Sequence, residues 1–528
     1  MSDPKAVIES GNISLGIEFG STRIKACLID TQTTKVLGTG SFEWENQLVD
    51  GLWTYSLDSV WRGLAASFAD LQANLDRTHG VMIQKLEALS ISAMMHGYLG
   101  FDKAGESLLP FRTWRNTNTG PAAKELSELF NFNIPLRWSI AHLHQLVIEK
   151  HPHLAELDFV TTLAGYVHWK LSGEKVLGIG DASGMFPIDS LAKDYDQKMV
   201  ESFDQLARGY GFEKPLSALL PKVLVAGEWA GTLTEAGARL LDPFGSLTPG
   251  ALMAAAEGDA GTGMVATNAV KPRTGNVSAG TSIFAMVVME RPLQSMHEEL
   301  DVVTTPSGDQ VAMVHCNNGA SELAAWANMF KRFSDAAGMS LSTDQVYEVL
   351  FTEALSGEAD AGGLLAYNYL AGEPITGLAQ GRPLFVRTPD SEFSLANAFR
   401  AQLYGVFGTL SLGMEVLKKE RVELDEMAAH GGIFRTKGVA QRFLAAAIDS
   451  PVSVSGEASE GGAWGAAILA AFAASNRGDL PGFLNEVVFA DSATSVQEPV
   501  AEDVAGYKKY LAAYRAGLAI EAAAVEAL

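Results

Sequence analysis

The chain has 528 residues, which at about 150 residues per domain predicts two large or three ordinary domains. Hydrophobic residues make up 47% and charged residues 19%, a composition that is typical of a folded globular protein. Acidic residues outnumber basic ones by 62 to 39, a net charge of −23, so neither nucleic acid nor an anionic membrane is expected as a partner, because both are bound by broad cationic surfaces.

The N-terminal segment MSDPKAVIES lacks the basic and apolar stretches of a secretory signal. The longest apolar run, Ala463 to Ala474, is too short to span a membrane. Cys27 and Cys316 lie far apart in the sequence, so neither a disulfide framework nor a cysteine zinc site is predicted. A reducing cytoplasm is the expected compartment. Such an acidic protein can still hold an anionic small molecule through backbone N–H groups, a helix N-terminus or a metal ion.

An alternating strand pattern near the N-terminus is interrupted by a short turn. Leu15, Ile17 and Phe19 share one strand face, and the alternation resumes after Gly20-Ser21-Thr22. The pattern predicts a strand, a tight turn and a second strand. A plain hairpin explains these residues. The functional alternative is that Gly20 admits a phosphate, whose oxygens accept hydrogen bonds from backbone N–H groups and the two hydroxyls.

Two charged residues flank this turn. Lys25 could add a cation to the phosphate site. Glu18 lies on the strand face opposite the apolar one, where it could hold Mg²⁺ directly or through water. Helical spacing over 57–75 and strand-like composition over 88–95 follow, and this alternation favours an α/β layered fold.

Four histidines, His142, His144, His151 and His153, have the composition of a metal cluster. The surrounding segment has a helical pattern, however, and residues two apart on a helix do not share a face. We therefore predict satisfied or solvent-facing side chains for them.

The segment EGDAGTG contains an aspartate, Asp259, among small residues. Turn capping explains such a residue by itself. The functional alternative is phosphoryl transfer, which needs a carboxylate to accept the proton of the acceptor hydroxyl, and an Asp is ionised at neutral pH. Residues 261–266 also match the GxGxxA pattern of nicotinamide-binding turns, but no clean β-branched strand precedes them, so that interpretation is the weaker one.

The strand, turn and strand pattern recurs at Gly275 to Met289, with Gly280-Thr281-Ser282 in the turn. The two turns lie about half the chain apart. We therefore predict two related domains, 1–268 and 269–528. In the second, apolar spacing predicts helices over 323–333 and 395–417, and the Ala-rich stretch from 500 to 528 predicts a final helix.

Taken in order, these motifs resemble the FGGY family of carbohydrate kinases over almost the whole chain. The motifs are GIEFGST with Lys25, MMHG at Met94 to Gly97, LSGEKVLGIGDASGMFPID around Asp181, EGDAGTG with Asp259, SAGTS at Ser278 to Ser282, and HGGIFRTKGVAQRFLAAAIDSPV followed by EGGAWGAA. The resemblance implies an α/β fold of two actin-like, ribonuclease H-like domains with an active-site cleft between them.

The resemblance also implies roles for individual residues. Asp259 would be the general base and, with Glu18, a ligand of Mg²⁺. The sugar would be bound by Met95, His96, Trp114, Arg115, Asn116 and Asp259. ATP would be bound by Gly20, Ser21, Thr22, Lys25, Gly280, Thr281, Ser282, Gly431, Gly432 and Phe434.

Three departures from the family pattern leave the sugar open. Glu18 stands where the family usually has Asp, the sequence from Trp114 to Thr117 replaces the Trp-Asn-Asp usual in xylulokinases, and the segment 139–152 lacks the Lys and Trp of one family signature. The expected activity is transfer of the γ-phosphate of ATP to the terminal hydroxyl of L-ribulose or D-xylulose. The alternatives are a rhamnulose, fuculose or gluconate kinase, or a non-catalytic ATP-binding sensor. A homodimer is considered, although the sequence does not define the oligomeric state.

Overall fold

A computed structural model of the chain describes residues 3–455, 461–492 and 494–528. Two large β-sheets form its frame. The first sheet contains β1 (Ile13–Phe19), β2 (Arg23–Asp30), β3 (Val36–Glu43), β4 (Ala88–Ala93), β5 (Leu252–Met253) and β6 (Glu257–Gly258). The second contains β7 (Thr274–Ala279), β8 (Ile283–Val288), β9 (Leu300–Thr304), β10 (Gln310–Cys316), β11 (Glu426–His430), β12 (Val452–Ser455) and β13 (Thr494–Gln497).

The two sheets repeat one topology. In the first, β1 pairs antiparallel with β2 and parallel with β4, while β5 and β6 run parallel to β4. In the second, β7 pairs antiparallel with β8 and parallel with β11, while β12 runs parallel to β11. Each sheet therefore begins with a hairpin whose first strand also pairs with a parallel strand from much later in the chain. The predicted α/β fold of two related, actin-like domains is confirmed.

The longer helices separate the strands along the chain, and they pack on the sheets or on one another. Those of eight residues or more are α1 (Leu57–His79), α2 (Gly120–Phe130), α3 (Ser139–Ile148), α4 (Leu163–Ser172), α5 (Gln197–Gly209), α6 (Asp259–Ala266), α7 (Ser321–Ala336), α8 (Thr343–Ala354), α9 (Leu395–Lys419), α10 (Val439–Ile448), α11 (Gly461–Ala474) and α12 (Ala501–Ala527). The four predicted helices appear as α1, α7, α9 and α12. Among the described residues, no helix combines the length and apolar character needed to cross a membrane.

Helix α1 shows why the sequence folds locally as predicted. The Ser56 hydroxyl accepts a hydrogen bond from the N–H of Ser59 and caps the first turn, and Gly80 ends the helix with a φ of 62°. The apolar residues at helical spacing, among them Leu64 and Phe68, are buried against the first sheet. Burial of this one stripe fixes α1 on the sheet.

Helix α11 lies between β12 and β13 of the second sheet in sequence but packs on the first sheet. A Cβ added at Gly16 of β1 would lie 2.1 Å from the carbonyl oxygen of Ala463, and one added at Gly465 would lie 2.0 Å from that of Thr262 in α6. Only glycine allows backbones to approach so closely. The first hydrophobic core therefore includes side chains from 463–488, well beyond the proposed boundary at residue 268.

The two domains also touch through β9. The Thr304 hydroxyl donates to the carbonyl oxygen of Ile179 at 3.0 Å, and the Thr304 N–H donates to the Ser183 hydroxyl at 3.0 Å. Nearby, the guanidinium of Arg137 forms an ion pair with Asp301. These contacts fix one side of the interface between the domains.

Candidate active site

The predicted site residues lie where strands end. In the first sheet, β1 is followed by the turn 20–22, β4 by Met95 and His96, and β6 by Asp259. In the second, β7 is followed by the turn 280–282 and β11 by Gly431. Because β1, β4 and β6 run parallel, their carboxyl ends share one edge of the first sheet, and β7 and β11 share one edge of the second. Ligands of open α/β sheets bind at such edges.

The first turn presents its donors and not its acceptors. Trp44 donates to the carbonyl oxygens of Gly20 and Thr22, from its indole N–H at 2.7 Å and its backbone N–H at 3.1 Å. The Tyr55 hydroxyl donates to the carbonyl oxygen of Ser21 at 2.6 Å. Among the described residues, the N–H groups of Ser21 and Thr22 have no partner, and both residues are exposed. A turn held in this way is suited to an anion.

The second turn is held in the same sense by other atoms. The N–H of Ala320 donates to the carbonyl oxygen of Gly280 at 2.8 Å, and the N–H of Gly319 donates to that of Thr281 at 2.7 Å. In the described part of the chain, the N–H groups of Thr281 and Ser282 have no acceptor. The two turns thus offer the same chemistry from the two domains.

Asp259 begins helix α6, where its Oδ1 accepts hydrogen bonds from the N–H groups of Ala260 at 2.9 Å and Met95 at 3.4 Å. Solvent reaches the side chain, yet nearby protein groups displace part of its hydration. Loss of bulk solvation raises the pKa of Asp259 to about 6. It is therefore largely ionised at neutral pH, as a proton acceptor must be.

Glu18 lies beside Asp259 on the polar face of β1. Its Oε2 is 3.9 Å from the ammonium nitrogen of Lys25 on β2. Burial raises the pKa of Glu18 to about 7, Lys25 opposes that shift, and the negative charge of Asp259 adds to it. The structure therefore brings together the three charged residues that the sequence singled out around the first turn.

This pair of carboxylates fits a divalent cation shared with a phosphate ligand. Mg²⁺ in kinases is held by one or two carboxylates, water and substrate phosphates rather than by a full protein cage. Within the described residues, no group of three or more His, Cys, Asp or Glu side chains could hold a metal by itself. Glu18 and Asp259 are the residues that would hold the ion.

His96 occupies a strained and buried position after β4. Its φ is 69°, its ring stacks on Trp138 with centroids 6.2 Å apart, and its Nδ1 lies 3.2 Å from the carbonyl oxygen of Gly184. Burial holds the pKa of His96 well below its usual range, so the ring is neutral. A carbonyl only accepts, so Nδ1 carries the proton and Nε2 can accept a hydrogen bond from a ligand hydroxyl.

The segment 114–116 is held in place by contacts within the protein. The Asn116 side chain accepts from the N–H of Trp53 at 2.8 Å and donates to the carbonyl oxygens of Trp53 at 2.8 Å and Thr113 at 3.1 Å. Both amide hydrogens are therefore used within the protein. The Arg115 guanidinium stacks 4.0 Å from the Trp53 ring centre, while Trp114 is 38% exposed.

The segment around Gly431, Gly432 and Phe434, which the resemblance assigned to ATP, divides into open and buried parts. Gly431 has a φ of 124°, and a Cβ there would lie 2.1 Å from the carbonyl oxygen of Ala279, so it brings β11 against β7. Gly432 has open space around it, whereas the Phe434 side chain is buried in the second core. Of EGGAWGAA, Glu460 lies outside the described residues, and the rest forms α11 against the first sheet.

Two weaker motifs have other roles. Gly261 and Gly263 lie inside helix α6 and not in a turn before a helix, so the geometry of a nicotinamide-binding turn is not formed. Among the histidines, His144 pairs with Glu125 at 2.7 Å, and His153 lies 2.9 Å from the Tyr98 hydroxyl. The prediction is wrong for His142, which is buried and whose ring nitrogens have no partner among the described residues.

Sequence reasoning did not assign three charged residues near Asp259. Glu257 accepts hydrogen bonds from the N–H groups of Gly180 and Asp181, and burial raises the pKa values of Glu257 and Asp181 to about 8 and about 7. The charge of Arg137 lowers the pKa values of Asp259, His96 and His315. The Gly-Asp sequence that EGD and GIGD share was the available signal for the carboxyl pair.

His315, like the Asp301 partner of Arg137, belongs to the second domain, so Arg137 lies where the two domains meet. The His315 ring stacks on Phe284 at 4.2 Å between centroids, and Phe284 lies two residues beyond the second turn.

Sequence profiles of the FGGY family of carbohydrate kinases match both halves of the chain. The N-terminal-domain profile matches residues 13–243 and the C-terminal-domain profile matches residues 275–474. The chain belongs to the FGGY family of carbohydrate kinases. The motifs resembling this family are thereby confirmed as a family relationship.

Individual relatives of this FGGY kinase are distant. The xylulose kinase of Haemophilus influenzae is 22% identical over 436 residues, which cover 79% of this chain and 82% of that protein. The xylulose kinase structure from Rhodospirillum rubrum has a TM-score of 0.77 at 19% identity, with 96% of this chain and 98% of that chain covered. A gluconate kinase from Lactobacillus acidophilus has a TM-score of 0.76 at 18% identity, with 95% and 96% covered. These likenesses support the fold of the FGGY kinase and leave its sugar open.

Proposed function

We propose that this FGGY kinase transfers the γ-phosphate of ATP to the terminal hydroxyl of a ketopentose, D-xylulose or L-ribulose. The observation that carries the proposal is the position of Asp259 at the edge where β1, β4 and β6 end, beside Glu18 and the MMHG segment. Its carboxylate is accessible to a ligand, and its other neighbours are backbone N–H groups. We also infer a cytoplasmic enzyme, and a homodimer stays a proposal.

The nucleotide phosphates would be bound by the two turns. Their free N–H groups and hydroxyls donate to phosphate oxygens, and Lys25 adds a positive charge. These groups would neutralise charge without a basic surface, in keeping with a chain of net charge −23. Bound Mg²⁺ would supply further neutralisation of the phosphate charge.

Proton transfer would fall to Asp259. In the proposed reaction the sugar hydroxyl oxygen forms a bond to the γ-phosphorus, the bond from that phosphorus to the β,γ-bridging oxygen breaks, and the hydroxyl proton moves to Asp259. The N–H groups of Met95 and Ala260 orient the carboxylate. His96 would accept a hydrogen bond from another sugar hydroxyl and so align the acceptor.

A neutral ketose suits the cleft better than a sugar acid. Arg137 is the cation whose charge reaches Asp259 and His96, and its guanidinium is already paired with Asp301. A carboxylate substrate would therefore meet a neutralised cation close to two further carboxylates. This argument favours xylulose or ribulose over gluconate. It does not distinguish them from rhamnulose and fuculose, which the assay below compares.

The test is coupled ADP release with D-xylulose, L-ribulose, L-rhamnulose, L-fuculose, gluconate and glycerol. The proposal expects kcat/KM to be at least tenfold higher for one of the two ketopentoses than for any other acceptor. A preference for gluconate would show that the acceptor is a sugar acid and not a ketopentose, and the chain would still be an FGGY kinase. Slow ADP release that no sugar stimulates would instead support an ATP-binding sensor.

A further inference from the structure

A polar cavity lies between the link that joins the two domains and one face of the second sheet. Its volume is about 310 Å³. It is bordered by Ala266 at the C-terminal end of α6, whereas Asp259 begins that helix. Eight helical residues span about 12 Å, so the cavity and the catalytic carboxylate are separated by the length of α6.

The walls of this cavity come from three parts of the chain. Residues 266–271 belong to the link between the domains, and residues 481–489 follow α11 and pack on the first core. The third wall is the face of β7, β11 and β12 in the second sheet. The side chains of Asn268 and Asn485 join the first two walls through a hydrogen bond of 2.8 Å.

Three ionisable side chains border the cavity without using their polar atoms. Within the described residues, Lys271, Glu426 and His430 form neither an ion pair nor a side-chain hydrogen bond. Burial lowers the pKa of His430, so its ring is neutral at physiological pH. Unused donors and acceptors from the interdomain link and from the second sheet thus border one partly open cavity, which is characteristic of a binding site.

The lining indicates the chemistry of the ligand. Lys271 and Glu426 carry opposite charges, and amides and hydroxyls such as those of Asn485 and Ser453 supply the other polar atoms. The ring of Phe489 provides an apolar wall against which C–H groups can pack. A phosphate or carboxylate would be disfavoured by Glu426 and by the net charge of −23. The volume is at the lower end of small-molecule pockets, of about 300–1,000 Å³.

We propose that this cavity binds an uncharged polyol or monosaccharide of five or six carbons at a site separate from the catalytic cleft. The walls of the cavity belong to both domains. A ligand that makes better contacts in one relative orientation of the domains therefore stabilises that orientation. The cleft lies at the other end of α6, so such a ligand would change the affinity for the acceptor sugar. This inference stands whichever sugar is phosphorylated.

The experiment uses xylitol, a five-carbon polyol without a carbonyl group, in equilibrium dialysis against the full chain. Four proteins are compared: the wild type, Ala428→Phe to fill the cavity, Asn485→Ala to remove a polar contact without filling it, and His96→Ala to impair the catalytic cleft. ATP binding and the thermal unfolding midpoint show whether each variant is folded. We expect saturable binding that persists in His96→Ala, weakens about tenfold or more in Ala428→Phe and weakens severalfold in Asn485→Ala.

Two results would overturn the proposal. The first is no saturable xylitol binding to the wild type up to about 50 mM. The second is binding that disappears in His96→Ala but persists in both Asn485→Ala and a folded Ala428→Phe protein, since it would place the polyol in the catalytic cleft. If Ala428→Phe does not fold, Asn485→Ala decides alone, and unchanged affinity in that variant counts against the cavity.

Discussion

Gly465 of α11 passes so close to Thr262 of α6 that a Cβ on the glycine would lie 2.0 Å from the threonine carbonyl oxygen. Gly465→Ala must therefore move one helix, and we expect an unfolding free energy lower by about 1–3 kcal/mol. Because α6 carries Asp259, turnover should fall as well. Gly263→Ala on α6 is the matched control, since a Cβ at Gly263 would meet no atom within 4 Å.

Thermal unfolding and coupled ADP release measure the two effects of the glycine variants. The control should be neutral or stabilised by up to about 1 kcal/mol, because alanine favours a helix over glycine. Equal stability of the two variants would contradict the close packing of α6 and α11.

Asp259→Asn should keep the shape of the site but remove the proton acceptor. A general base contributes about 10²–10⁴-fold, so we expect kcat to fall by that factor while ATP and sugar still bind. Steady-state ADP release gives kcat, and calorimetric titration gives binding. Asp390→Asn is the control because Asp390 is an exposed residue in a turn of the second domain. A kcat within threefold of wild type would remove Asp259 from the proposed reaction.

Tyr55→Phe tests the first turn as a phosphate site. The variant loses the hydrogen bond from the Tyr55 hydroxyl to the carbonyl oxygen of Ser21 and leaves the ring stack with Trp44 intact. One hydrogen bond contributes about 0.5–1.5 kcal/mol, so the KM for ATP should rise about 2–12-fold with a smaller effect on the KM for sugar. Tyr347→Phe is the control. A larger change in the sugar KM would argue against a nucleotide role for this turn.

Asp503→Asn should destabilise the second domain strongly. Asp503 is 2% exposed and pairs with both Arg400 and Arg442. Breaking a buried pair leaves an uncompensated charge, at a cost of about 3–5 kcal/mol. Glu415→Gln, at an exposed pair with Arg515, should cost less than about 1 kcal/mol. Urea unfolding of both variants measures the difference, and similar losses would be inconsistent with the burial of Asp503.

The hairpins were predictable because their signals are local. Alternating apolar residues and a Gly-Ser/Thr break define both β1–β2 and β7–β8, and the backbone followed those signals. The position of α11 was not predictable in this way. Its residues are apolar on every side, so the pattern predicts burial without saying which sheet will cover them.

The candidate site shows the same division. Glu18, Lys25 and Asp259 could be chosen because each lies next to a turn or a strand end. Arg137 could not, because its importance comes from a partner on β9 that is distant in sequence and from charges that meet only across the cleft. The sequence likewise could not predict that the Asn116 amide hydrogens are both used within the protein, because Trp53, one of the partners, is distant in sequence.

Glu257 should make the stability of the protein depend on pH. Burial, with the charge of Asp181 as the second cause, raises the pKa of Glu257 from 4.5 to about 8. Between about pH 5 and 8 the folded state therefore keeps a proton that the unfolded chain has released, so the unfolding free energy falls as pH rises. One such group contributes a slope of up to about 1.4 kcal/mol per pH unit.

Glu257→Gln imitates the protonated side chain and does not titrate. Its unfolding free energy should therefore fall less steeply with pH than that of the wild type across this range, whatever the variant's own stability. Urea unfolding at pH 5, 6, 7 and 8 gives both slopes, and Glu498→Gln at the exposed surface is the control. Parallel slopes for the wild type and Glu257→Gln would mean that Glu257 is ionised in the folded protein, stabilised by the N–H groups of Gly180 and Asp181.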